Sequence, residues 1–349
     1  GLARDYMDYL GTSDMTAAEI KQAFYNLASN YSISTGTRKT TITVSGLSEN
    51  MKEAMSLLEK VVTDAQPNKA AYDNLVADIL KSREDNKANQ ATNFSRLRMY
   101  GLYGNEIPAK NIVCEEELTQ TITPESLIKT ISDLWNTEHR VVYYGPMEMD
   151  EVSEVVVEVH EVGATLKHVE KNDAYKLQLT TENIVYIAPY DANQIYLSSV
   201  SNYGEMYSEE LHPSITLYNE YFGGGMNGIV FQEMREARGL AYSANAFMAE
   251  PARIEDPAYF ATVIATQNDK MIDALTAFDE IINNMPVSEK AFGIAKDALL
   301  ARLRTERITR FSVIDYFLEQ EELGLKEDTR KQLFDAVQAM TLEDVVAYQ

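Results

Sequence analysis

Histidine, cysteine and serine are the residues that most often carry metal or nucleophile chemistry, and here their spacing supports neither. No two of the four histidines are spaced as metal ligands on one helical turn or tight loop: His139, His160, His168 and His212. Cys114 has no histidine near it in the sequence, and no Gly-x-Ser-x-Gly motif is present. The sequence therefore predicts no metal site and no independent catalytic centre in this chain.

Arg235 and Tyr242 are candidates of another kind, because a guanidinium and a phenol can both donate hydrogen bonds to an oxyanion. From residue types alone, the commoner arrangement would pair Arg235 with acids on its helix and pack Tyr242 in a strand. The preceding Gly223-Gly224-Gly225 and Gly228 lack the order of a phosphate-binding loop. These glycines predict a tight turn or a close approach of two backbone segments.

Composition limits the class of protein. The chain has 349 residues, 45% of them hydrophobic and 24% charged, which indicates a soluble globular protein of about two domains. Its net charge of −23 argues against a nucleic-acid partner. That charge fits either a solvated surface or an acidic cavity for basic peptides. No apolar stretch is long enough for a transmembrane helix, so no membrane partner is expected.

An internal duplication organises the chain. Similar sequence segments recur at offsets of 212 to 219 residues. Tyr9-Leu10-Gly11-Thr12 matches Tyr221-Phe222-Gly223-Gly224, and the predicted strand Thr41–Val44 matches Phe260–Val263. The predicted helices that end before Pro67 and Pro286 also match, as do the helix starts at Thr123 and Thr341. A period this long indicates two homologous domains instead of a solenoid.

The elements cluster in a way typical of an α+β fold, with a mostly antiparallel sheet packed against several helices in each domain. We expect a first domain at 1–162, without its N-terminal strands, a linker at 163–182, and a second domain at 183–349. Arg140–Tyr144 is predicted to close the first domain as a strand. A hairpin formed by 184–188 and 194–200 is predicted to open the second.

The second copy resembles the pitrilysin/insulinase family of zinc metallopeptidases, the inverzincins, and the likeness extends over nearly the whole chain. It is carried by Tyr221-Phe222-Gly223-Gly224-Gly225, the Phe231-Gln232-Glu233 helix, and Arg-x-x-x-Gly-Leu-x-Tyr from Arg235 to Tyr242. The resemblance implies paired α+β domains whose two halves close around a peptide.

Catalysis in that family uses His-x-x-Glu-His, usually after Gly-Leu-Ala. This chain begins Gly1-Leu2-Ala3, and then has Arg4 and Asp8 at the ligand positions and Met7 at the position of the base. A guanidinium cannot ligate zinc and a thioether cannot act as a base. The resemblance therefore implies a non-catalytic C-terminal half, predicted inactive alone and without its own cofactor, with zinc in the catalytic half.

The resemblance also implies that Arg235 and Tyr242 bind substrate across the chamber and act in the active site of the partner half. The first copy has Tyr31 at the tyrosine position but Phe24 at the arginine position. Expected partners are a peptide substrate, bound along a sheet edge, and a catalytic half on the same chain or on a separate subunit. A purely structural module with this fold is the alternative. Long bacterial relatives favour a periplasmic location.

Overall fold

The computed structural model describes residues 1–36, 38–104, 112–170, 176–310 and 312–349. It confirms the α+β class: short antiparallel sheets accompany a larger set of helices. The helices before residue 170 are α1 (Leu2–Met7), α2 (Ala17–Asn26), α3 (Met51–Thr63), α4 (Lys69–Lys87), α5 (Gln90–Tyr103), α6 (Pro124–Ser132) and α7 (Met149–Val159). The later helices are α8 (His212–Tyr218), α9 (Ile229–Phe231), α10 (Met271–Asn283), α11 (Glu289–Thr305), α12 (Ser312–Glu322), α13 (Arg330–Ala339) and α14 (Leu342–Tyr348).

Two sheets are present in the described residues. Strands β1 (Asn30–Thr35) and β2 (Thr40–Ser45) form an antiparallel pair. Strands β3 (Gln194–Ser201), β4 (Ser243–Ala249) and β5 (Tyr259–Gln267) form a sheet with β5 in the centre, antiparallel to both neighbours. The predicted strands around Thr41 and Phe260 are confirmed as β2 and β5. None of the described helices combines the length and apolar character needed to cross a bilayer.

Helix starts follow local capping chemistry in both copies. Thr123 and Thr341 each accept a hydrogen bond from the backbone N–H three residues later, which starts α6 and α14 where the sequence predicts. Asn68 and Ser288 cap α4 and α11 in the same way. Matching caps at matching places give the two copies their common order of helices.

A buried tyrosine hydroxyl anchors each of these caps. Tyr221 donates to the carbonyl of Pro286 at 2.9 Å and accepts from the N–H of Ser288 at 3.0 Å. Tyr6 likewise accepts from the N–H of its cap residue, Asn68, at 2.8 Å, but it donates to the carbonyl of Asn68 itself, at 2.9 Å. Burial raises the pKa of both phenols. The shared contact matches Tyr221 with Tyr6, whereas the sequence comparison had aligned Tyr221 with Tyr9.

Two predicted strands are not formed. Residues 140–144 and 184–188 are not strands, and Val141, Val185 and Ile187 are 51%, 81% and 80% exposed. The hydrophobic runs favour strands in isolation, but a strand needs a neighbour that completes its hydrogen bonds. In the predicted hairpin, only the second arm forms, as β3, and it pairs with β5 instead of 184–188.

The chain divides into two compact units, residues 1–88 with 109–175 and residues 89–108 with 176–349. Helix α5 thus belongs to the second unit, where Phe94 lies 5.4 Å from Tyr196 of β3, between ring centroids. The Gln90 side chain also donates to the carbonyl of Gln194 at 2.7 Å. The boundaries 1–162, 163–182 and 183–349, which assign α5 to the first domain, remain a prediction.

Replacing Tyr221 by Phe should destabilise the second unit by about 1–3 kcal/mol, because the Ser288 N–H and the Pro286 carbonyl lose a buried partner. Urea unfolding measures the change. Tyr25→Phe is the control, since Tyr25 is 77% exposed and its loss should change the free energy of unfolding by less than about 0.5 kcal/mol. Equal effects of the two substitutions would contradict the anchoring role.

Candidate functional site

Arg235 lies on a turn of π-helix. Helix α9 begins after Gly228 and continues without a break into the π-helix Gln232–Ala237. Single π-turns within helices are frequent at functional sites, because the wider turn changes the direction of its side chains. The turn ends as the Leu240 N–H donates to the carbonyl of Met234 at 2.9 Å, and Gly239 adopts φ +58°.

The Arg235 guanidinium lies over two aromatic rings. Its central carbon is 5.1 Å from the ring centroid of Phe231 and 5.4 Å from that of Tyr242. Its nearest acid is Glu236, at 3.6 Å, and one terminal nitrogen reaches the carbonyl of Tyr242 at 3.5 Å. The side chain is 44% exposed, so several of its donors remain available to a ligand.

Tyr242 is the exposed member of the pair. Its backbone N–H donates to the carbonyl of Ala265 at 2.9 Å, which fixes the residue at the start of β4. Its side chain is turned outward, since the residue is 71% exposed and no described residue hydrogen-bonds the hydroxyl. The backbone is therefore held while the phenol is free to donate.

A pocket of about 300 Å³ adjoins the pair. Arg235 and Tyr242 line it together with Gln194, Thr266, Gln267 and Lys270 and the backbone of 239–241. Lys270 donates to the carbonyl of Gly239 at 3.0 Å. The pocket thus carries two cations and a phenol in a chain of strong negative charge, a combination suited to a carbonyl or carboxylate oxygen.

The next arginine along the chain has a different electrostatic environment. Arg238, three residues after Arg235, is bound to Glu280 at 2.7 Å and Glu233 at 3.6 Å, and these carboxylates raise the pKa of its guanidinium. From residue types alone we expect Arg235 to pair with acids on its helix. The structure gives it the 3.6 Å pair with Glu236, whereas the shorter ion pair of this segment is made by Arg238.

In the first copy, the sequence positions aligned with Arg235 and Tyr242 are both aromatic. Phe24 and Tyr31, which the sequence offset of 211 residues aligns with Arg235 and Tyr242, are also in contact, with ring centroids 4.8 Å apart. Phe24 is only 3% exposed, and burial raises the pKa of Tyr31. The first unit thus has an apolar contact where the second unit has an exposed cation.

The glycine-rich segment has the role that its sequence predicts. A Cβ on Gly223 would overlap the carbonyl of Ala246 in β4, and one on Gly224 would overlap the carbonyl of Glu220. Gly225 adopts φ +58°. The prediction of close backbone approach is confirmed: these glycines let the π-helix Asn219–Gly223 pack directly against β4.

The first unit does not offer a zinc site at the positions of the family motif. Arg4 donates from Nε to the carbonyl of Ile33 at 3.0 Å and pairs with Asp5. Met7 is buried, at 3% exposure, and Asp8 lies on the surface. A guanidinium bound to backbone and a thioether inside the core do not fit zinc with its attacking water. No group of three or more metal-binding side chains occurs in the described ranges.

Phe231 is the site residue that sequence reasoning missed. It lies four residues before Arg235, a spacing that brings two side chains together on one helical face. An aromatic residue at that distance from an arginine was the available signal for a cation–π contact.

The α+β fold, with Arg4, Met7 and Asp8 at the positions of the zinc motif, agrees with an inactive domain of a metallopeptidase family. The family described as the peptidase M16 inactive domain matches residues 121–299, and this chain belongs to that family. An uncharacterized zinc protease of Rickettsia felis is 22% identical over 275 residues, which cover 76% of this chain and 63% of the relative.

Solved structures show the same fold. The peptidase M16 inactive domain from Pseudomonas fluorescens superposes with a TM-score of 0.70 at 16% identity, covering 99% of this chain and 82% of that one. The periplasmic protease PqqL of Escherichia coli superposes with a TM-score of 0.73 at 14% identity, covering 99% of this chain and 38% of PqqL. The chain thus spans about two fifths of the length of PqqL.

If Arg235 is a ligand-binding residue instead of a structural one, Arg235→Ala should change the free energy of unfolding by less than about 1 kcal/mol, the worth of exposed cation–π contacts. The comparison substitution is Phe24→Ala, at the buried position that the sequence offset aligns with Arg235, expected to cost about 3–5 kcal/mol. Urea unfolding of both variants tests this. A loss at Arg235 as large as at Phe24 would assign the arginine to the fold.

Proposed function

We propose that this chain is the non-catalytic half of a zinc metalloendopeptidase, which helps to enclose a peptide and supplies Arg235 and Tyr242 to the active site of a His-x-x-Glu-His half. The observation that carries the proposal is the exposed Arg235 guanidinium, held over the rings of Phe231 and Tyr242, with the Glu236 carboxylate 3.6 Å away. Membership in the peptidase M16 inactive domain family supports the peptidase context.

The chemistry of the pair suits a peptide carbonyl. The guanidinium provides fixed charged donors, and the free hydroxyl of Tyr242 provides one more. Both can strengthen their hydrogen bonds as negative charge develops on the carbonyl oxygen during cleavage. The pair would therefore bind the substrate and favour its transition state, while the partner half holds zinc and activates water.

The outer edge of β4 offers only a limited site for a peptide strand. The side-chain amide of Asn219 bonds both the N–H and the carbonyl of Met248, each at 2.8 Å, and so occupies the far end of that edge. A peptide paired to β4 would be confined to the end next to Tyr242. The backbone of such a peptide would lie beside the proposed donors.

The catalytic half is inferred from the greater length of the related proteins. The chain corresponds to 63% of the Rickettsia felis relative and 38% of PqqL, so longer proteins of this family contain further domains. We propose that the catalytic half is such a domain pair, on the same chain or on a separate subunit. A periplasmic location is proposed as well, supported by the likeness to the periplasmic protease PqqL.

Activity should appear only when the halves are combined. With added zinc, this chain alone should not cleave a quenched fluorogenic peptide, because the Arg4, Met7 and Asp8 positions do not fit zinc. Mixing it with the His-x-x-Glu-His half should give turnover that a chelator abolishes. Zinc-dependent turnover by this chain alone would refute the proposal.

In the combined enzyme, Arg235→Ala or Tyr242→Phe should lower kcat/KM by about 10²–10³-fold, the usual cost of one oxyanion donor. Arg238→Ala is the matched control for loss of a cation from the same segment, and Tyr203→Phe is the control for loss of an exposed phenol, since Tyr203 is 74% exposed. Both controls should retain activity. Unchanged kcat/KM in both test variants would favour a purely structural module.

A further inference from the structure

Two histidine side chains of the first unit contact each other. They are far from Arg235 in the sequence. The Nε2 atoms of His139 and His160 lie 2.9 Å apart, with the ring centroids 5.0 Å apart. His160 caps the C-terminus of α7, and His139 follows the short 3-10 turn Asp133–Asn136. Because 21 residues separate the two, a search for closely spaced ligands does not find them.

The opposite nitrogen of each ring is also occupied. Nδ1 of His139 lies 2.7 Å from the carbonyl oxygen of Thr137, and Nδ1 of His160 lies 2.6 Å from a carboxylate oxygen of Glu59. The second Glu59 oxygen accepts from the indole N–H of Trp135 at 2.5 Å. A carbonyl and an ionised carboxylate only accept hydrogen bonds, so each neutral ring places its proton on Nδ1.

This arrangement leaves an unsatisfied pair of atoms. With both protons on Nδ1, the two Nε2 atoms present lone pairs to each other at 2.9 Å. Two acceptors cannot bond each other, so these tautomers fit the contact only when a cation, either one additional proton or a metal ion, lies between or beside them. The ionised Glu59 behind His160 adds a negative charge that favours either cation.

We propose that His139 and His160 form a binding site for a divalent transition metal ion, with both Nε2 atoms as ligands and Glu59 as a positioning residue. A carboxylate that accepts from the far nitrogen of a ligating histidine fixes its tautomer and raises its basicity. The Glu59 and His160 side chains are only 13% and 14% exposed, which holds this half of the site in place.

Geometry narrows the choice of metal. With metal–nitrogen bonds of about 2.0–2.1 Å, nitrogens 2.9 Å apart subtend about 90° at the metal. Adjacent ligands at that angle suit tetragonal Cu²⁺ or Ni²⁺ better than tetrahedral Zn²⁺. The rings would rotate to direct both lone pairs at the ion. His139 is exposed, so it can turn, and water can complete the coordination.

The test is Cu²⁺ binding to the whole chain without an affinity tag, followed by calorimetry and by electron paramagnetic resonance. We expect one ion per chain, with nitrogen splitting in the spectrum from two imidazoles, and weaker binding of Ni²⁺ and Zn²⁺. His139→Gln or His160→Gln should each weaken binding at least tenfold and remove the two-nitrogen spectrum. Glu59→Gln should weaken binding by about 10–100-fold.

Matched controls are present in the same chain. His168 pairs with Glu138 at 2.6 Å and His212 with Glu250 at 2.8 Å, so each has the histidine–carboxylate contact. Neither has a second histidine among its described ring contacts. His168→Gln and His212→Gln should leave Cu²⁺ affinity unchanged. Binding that survives both His139→Gln and His160→Gln, or a native chain that binds no stoichiometric Cu²⁺, would overturn the proposal and leave a pair that only shares a proton. Circular dichroism confirms that each variant is folded.

Discussion

The buried hydroxyl of Tyr221 is the contact on which the second unit depends most directly. It satisfies the N–H that starts α11 and the carbonyl of Pro286, and it does so from the π-helix Asn219–Gly223. That π-helix is in turn packed against β4 through Gly223. One phenol therefore links the helix layer to the strand that begins beside Tyr242. Tyr6 makes the corresponding link in the first unit, which explains why both copies keep a tyrosine there.

The same scaffold supports opposite chemistry in its two copies. Where Phe24 and Tyr31 form a largely apolar contact, Arg235 and Tyr242 form an exposed one. An exposed cation stacked on rings contributes little to folding. This small contribution and membership in the peptidase M16 inactive domain family support the proposal that Arg235 and Tyr242 bind a peptide.

The sequence predicted the elements of the fold that depend on interactions between residues close together in the chain. Capping threonines located α6 and α14, alternation located β2 and β5, and the glycine run indicated close packing. The predictions of strands at 140–144 and 184–188 were wrong, because a strand forms only where a neighbouring strand is available to pair with it. A hydrophobic pattern does not show whether such a neighbour is present. In the site, Arg235 and Tyr242 were predicted from the family motif. The sequence does not show that Arg238 makes a short ion pair, because its partner Glu280 is distant in the sequence. It also does not show the His139–His160 contact, because 21 residues separate the two histidines.

Helix α5 has a consequence for how this chain can be divided. It is encoded between segments of the first unit but packs with β3 of the second. The polypeptide therefore passes from one unit to the other three times, and the units are interleaved along the chain. A single cleavage in the 163–182 segment would leave α5 on the fragment that carries the first unit. The boundary between the two compact units therefore does not coincide with the boundary of the duplication, and a fragment meant to contain the whole second unit would have to include α5 as well as β3.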